Sequence, residues 1–139
     1  MSDVCERRRD ERGSASAFVI GIAITLLALA GLVVDGGGAL NARMTLADDV
    51  EAAAVAGAQA TDELRLRRDQ ELVIDPAEAR DRALAVLSGR GYEGINIVVT
   101  DESVTVTARD RVPTLMLNLI GIDNFEIEAT ATSEAEILQ

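Results

Sequence analysis

Few residues in this chain are equipped to do chemistry. Across 139 residues there is no His, one Cys at position 5, and 13 basic residues that are all Arg. Without His, the commonest general base and metal ligand is missing. A lone Cys cannot form an intramolecular disulfide. Cys5 also precedes the long apolar run, whereas a lipid-bearing bacterial cysteine would follow one, so it reads as an inert thiol. Asp101 and Glu102 are adjacent acids, but a calcium loop needs several oxygen ligands at defined spacing, and the pair reads as a solvated turn. Gly36-Gly37-Gly38 lacks the preceding strand and the following Lys-Ser/Thr of a phosphate cradle. Carboxylate catalysis would need two acids in one cleft, and no spacing here implies one. The sequence therefore predicts no enzyme, no cofactor, and no catalytic, cofactor-binding or metal-ligating residue.

Charge and composition narrow the partners. A formal charge of -11 repels phosphates over most of the surface. Tyr92, Phe18 and Phe125 are the only aromatics, too few for base stacking, so nucleic acid is not an expected partner. With 48% hydrophobic and 27% charged residues, most of the chain is expected to fold.

What the chain has in place of chemistry is a membrane-length segment. No residue from Gly13 to Val34 is charged, and these 22 positions form a helix of about 33 Å, enough for a hydrocarbon core of about 30 Å. Ser14, Ser16 and Thr25 can bond their own helix backbone. Arg7, Arg8, Arg9 and Arg12 precede the run, and on the far side the nearest basic residue is Arg43. The positive-inside rule then predicts a single-pass cell-membrane protein in contact with lipid, its N-terminus cytoplasmic and its C-terminal domain extracytoplasmic. Ala17, Gly21 and Thr25 form a small-residue stripe of the kind that permits close helix approach.

The expected organisation is a basic tail over 1–12, a transmembrane helix over 13–34, a post-membrane amphipathic helix over 35–60, a charged connection over 61–74 and a small α+β domain over 75–139. Glycines 36–38 each cost a helix about 1 kcal/mol relative to Ala, which suggests a flexible joint. In the amphipathic helix, Leu46, Val50, Ala53, Ala54 and Gly57 share a packing face, opposite Asn41, Thr45, Asp48, Asp49 and Gln59. The packing face is mostly small and requires a sheet or helix to cover it. Asp75-Pro76-Ala77-Glu78 is a helix start, with Ala79, Ala83, Val86 and Leu87 as its core face and Gly89 and Gly91 at its end. Beyond Tyr92 the period becomes two. Ile95, Ile97 and Val99, then Val104, Val106 and Ala108, describe a β-hairpin, and Phe125, Ile127, Ala129 and Ala131 a third strand with an acidic polar face. The fold class is α+β: a transmembrane helix, an amphipathic helix, then a three-stranded antiparallel sheet with one or two short helices, a pilin-like architecture. The apolar stretch 112–121 is either a core plug or a contact with the membrane or another subunit.

The order of several elements carries a resemblance. Arg12-Gly13-Ser14, the apolar helix ending Gly31-Leu32-Val33-Val34-Asp35, Arg43, Ala47-Asp48 and Ala54-Val55-Ala56-Gly57-Ala58 are followed by the hairpin, Val112-Pro113-Thr114-Leu115, Gly121-Ile122-Asp123 and Ala129-Thr130-Ala131-Thr132. In this order they resemble the Tad (tight adherence) pilus-assembly proteins of the TadE and TadG type over nearly the whole chain. The resemblance implies a membrane-anchored, pseudopilin-like structural component of Flp pilus assembly or of the related secretion system, which serves cell adhesion. Its implied partners are other pilus-assembly membrane proteins or pilins and a prepilin peptidase. Cleaved pseudopilins of the family carry Gly before the cut and Glu at the fifth position after it. Here Gly13 and Ser14 form the candidate processing junction, and Phe18 stands at the fifth position. Three mature forms remain open: an uncut anchor, a start at Ser14, or release after Ala30.

A second reading is a membrane-tethered extracytoplasmic binding or sensor module unrelated to pili, using the acidic face for a cationic ligand or a divalent metal.

Overall fold

The computed structural model describes residues 3–60 and 73–135, with side chains over 14–60 and 73–135. The element order is α1 (Asp3–Ala58), α2 (Pro76–Leu87), β1 (Glu93–Val99), β2 (Ser103–Pro113), a 3₁₀ helix (Leu117–Ile120) and β3 (Asn124–Glu134). This is an α+β protein with a long N-terminal apolar helix, one further helix and a three-stranded antiparallel sheet. Most of the connection expected over 61–74 lies outside the described residues, as do the side chains of the basic tail and Cys5.

Gly36–Gly38, expected to loosen the helix, are helical and belong to α1. Each added Cβ there would meet open space, so close packing does not account for the three glycines.

The described chain divides into two compact units. The first contains α1 up to Gly37 together with Thr114–Asp123. In it, Phe18, Leu26, Leu27, Leu29 and Val33 are all exposed. From Ser14 onward α1 is long and apolar enough to cross a membrane.

The second unit runs over Gly38–Pro113 and resumes at Asn124. Strand order is β1-β2-β3, antiparallel throughout. The period-two pattern puts Val104, Val106, Ala108 and Ile127 on one buried face. Leu46, Val50, Ala53, Ala54 and Ala58 of α1 and Ala79, Ala83 and Leu87 of α2 join the same core. The packing face read from the α1 sequence is thus covered within this chain. Fully burying Leu46, Ile74, Leu87, Val50, Val104 or Val106 contributes about 1.5–3 kcal/mol each, but the many alanines add far less.

Small residues let the layers approach. A Cβ on Gly57 would lie 3.0 Å from Val104 Cγ1 and 3.1 Å from the Ala79 carbonyl oxygen, so glycine is what fits between β2 and α2. The start of α2 follows its sequence signature: Asp75 accepts from the N–H of Ala77 at 2.9 Å and of Glu78 at 3.1 Å, with Pro76 in the first turn.

On the opposite face of the sheet, Thr105 pairs with Thr132 at 2.8 Å and Thr107 with Thr130 at 2.9 Å. Arg109 Nε bonds Glu128 Oε2 at 2.5 Å. β3 alone suggests a strongly acidic face, but the antiparallel register sets Arg109 opposite Glu128 and Arg111 opposite Glu126. Cross-strand arginines therefore offset the carboxylates.

Candidate functional site

Among the described residues of the first unit, Asp35, the residue that follows the uncharged run, accepts three backbone hydrogen bonds. It is 6% exposed. Its Oδ1 accepts from the Leu115 N–H at 2.9 Å, and its Oδ2 accepts from Met116 at 2.9 Å and from Leu117 at 2.7 Å. Three successive backbone donors thus converge on one carboxylate, which caps the segment leading into the 3₁₀ helix. Burial pushes the Asp35 carboxyl up, and the three N–H bonds outweigh it, holding the group below its ordinary value of 3.8. The ionised contact is therefore complete above that ordinary value and is lost as pH falls through the depressed one.

The loop closes on itself as well. Thr114 is buried; its N–H donates to the Asp123 carbonyl at 3.0 Å and its hydroxyl to the Ile122 carbonyl. Gly31, one turn before Asp35, makes room for the loop: a Cβ there would come within 2.9 Å of Met116 Cβ. Leu117 is 5% exposed, but Leu115, Met116, Leu119, Ile120 and Ile122 are exposed. Of the two expectations for 112–121, the core plug does not describe 114–122, since a single leucine there is buried. Val112 and Pro113 belong to β2.

In the second unit, Asp49 corrects a sequence expectation. Assigned by helical spacing to the solvent face, it is 8% exposed. The Tyr92 hydroxyl donates to Asp49 Oδ2 at 2.5 Å, and Arg90 Nη1 lies 2.8 Å from the same oxygen. Helical spacing cannot see that the chain after α2 folds back over this edge of α1. Burial, then the Asp49 carboxylate, push the Tyr92 phenol up to about 12; Arg90 opposes the rise and Asp110 adds to it. The lone acid ending the apolar run and the single Tyr of the chain were the available signals for the two clusters, and neither signal names a partner.

Of the other residues singled out by sequence, Ser14, Ala17, Gly21 and Thr25 are exposed on α1, and Gly13 also lies in α1. The Thr25 hydroxyl donates to the Gly21 carbonyl at 2.9 Å, satisfying itself on its own helix. Leu46, Val50, Ala53, Ala54 and Gly57 are buried in the second unit, and Asp101 and Glu102 are an exposed turn. Among the described residues, no group of three or more His, Cys, Asp or Glu side chains could hold a metal ion. No buried side-chain nitrogen or oxygen lacks a hydrogen-bond partner among them either.

The arrangement defines a class: a small α+β chain with, among the described residues, one candidate membrane-crossing helix and two buried carboxylates, Asp35 and Asp49, that fasten the chain to itself. No protein-family model, curated protein or solved structure matches it.

Proposed function

We propose that this chain is a membrane-anchored, pseudopilin-like structural component of Tad/Flp pilus assembly or of the related secretion machinery. It crosses the membrane once, with the N-terminus in the cytoplasm and the α+β domain outside. Its role is to pack against pilins or other assembly proteins. The observation that carries the reading is the division of labour along α1: an exposed apolar portion of membrane length, then an amphipathic portion packed on a three-stranded antiparallel sheet. The motif order supports the family, and Arg7, Arg8, Arg9 and Arg12 support the orientation.

The test is deletion of the gene in its own host, with surface pili counted by electron microscopy and adhesion measured. Loss of both, restored by the intact gene, is the expected result; normal pili in the deletion strain would refute the role. Intact mass of the membrane-purified protein separates an uncut anchor from one starting at Ser14. A periplasmic reporter fused after Gln139 checks the orientation.

A further inference from the structure

Residues 114–122 read Thr-Leu-Met-Leu-Asn-Leu-Ile-Gly-Ile, and no charge falls between Arg111 and Asp123. Apolar tips in water are ordinarily short or diluted with polar residues. Here Leu119 is 84% and Leu115 77% exposed, beside exposed Met116, Ile120 and Ile122.

One observation points to what covers this surface and a second is compatible with it. The first is depth. Met116 and Leu117 lie against Gly31, four residues and about 6 Å back into the uncharged run from Asp35. Whatever surrounds the last turn of that run therefore surrounds the loop as well. The second is the backbone. The N–H groups of residues 114, 115, 116, 117, 119, 121 and 122 all donate to acceptors within this unit. Closure of this kind occurs in water as well, but it is what irregular backbone needs before it can approach hydrocarbon.

We propose that the 114–122 loop is a second membrane-contacting element, seated in the lipid interface beside the last turn of the apolar helix, with Leu115, Leu119 and Ile120 among the acyl chains. The inference rests on the membrane-spanning reading of α1 and is independent of any role in pili. Asp35 is its positioning residue: the carboxylate supplies the acceptor that three loop N–H groups would otherwise find in water. Gly31 supplies the space.

The test uses the full chain with Cys5→Ser, reconstituted in phosphatidylcholine vesicles and labelled at one cysteine with an environment-sensitive fluorophore. Ala23→Cys reports the span, Leu119→Cys the loop, and Asp101→Cys a water-exposed turn. Lipids brominated near the top of the acyl chain should quench the Leu119 label strongly and leave the Asp101 label untouched; lipids brominated near the bilayer centre should quench the Ala23 label. Adding Gly31→Leu, or separately Asp35→Ala, should abolish quenching at Leu119 while Ala23 quenching and Tyr92 emission persist. Quenching at Ala23 with water-like, unquenched emission at Leu119 overturns the loop proposal and leaves the spanning helix standing. Blue-shifted but unquenched emission at Leu119 means a protein surface covers the loop and also overturns it. No quenching at either position overturns the membrane reading together with the proposal.

Discussion

Replacing Gly57 by Ala sets two opposed effects against each other. In the last turn of α1 the substitution gains at most about 1 kcal/mol of helix propensity. Against this, the new methyl would sit 3.0 Å from Val104 Cγ1 and 3.1 Å from the Ala79 carbonyl oxygen. Ordinary carbon contacts lie at about 3.5–4.0 Å, so both neighbours must retreat. Val104 has no exposed surface to retreat into, and the Ala79 oxygen moves only with the α2 backbone. Overpacking of this kind costs about 1–3 kcal/mol, which leaves a net loss of about 0–3 kcal/mol. Val104→Ala removes one of the two obstructions. In that background Gly57→Ala should therefore cost less, with a coupling of about 0.5–1 kcal/mol. Urea unfolding of the full chain in detergent micelles measures this, followed by the emission of Tyr92, the single Tyr in a chain without Trp. A Gly57→Ala protein about 1 kcal/mol more stable than the parent would mean that propensity wins and that α1 does not approach β2 and α2 this closely.

Two further outcomes test the second unit. Tyr92 should titrate near 12 by ultraviolet absorbance in the folded protein, against an ordinary 10.0, so the stability it contributes is complete below pH 10 and lost as pH rises toward 12. Asp49→Asn should lower the midpoint only in part, because burial is the larger cause; a parent midpoint at 10 would show the phenol to be free. Val50→Asp puts an unpaired carboxylate at a fully buried position and should cost about 3–5 kcal/mol. Asp49→Ala breaks a bond and an ion pair whose Arg90 side is half-exposed, and should cost about 1–2 kcal/mol in the same urea assay. The reverse order would place Val50 outside the core.

What could be read along the chain is whatever local pattern encodes. An uncharged run shows its length directly; Asp75-Pro76 carries its own cap; alternation in 95–99, 104–108 and 125–131 states which residues face inward, because a strand has only two faces. The small face of α1 announced that something would cover it. The pairings that place the candidate residues are of another kind. Asp35 meets Leu115, Met116 and Leu117 across about eighty positions, and Asp49 meets Tyr92 across 43. Periodicity places a residue on a face of its own element and is silent about what arrives from elsewhere, so Asp49 looked solvated and nothing along the chain gave Asp35 a partner. The apolar loop is the sharpest case. Its composition fitted a core plug as well as a lipid contact, since burial and membrane insertion select the same side chains. Chain folding speaks against the plug, by fastening Thr114–Asp123 to the apolar helix through one carboxylate, burying Leu117 and leaving Leu115 and Leu119 exposed.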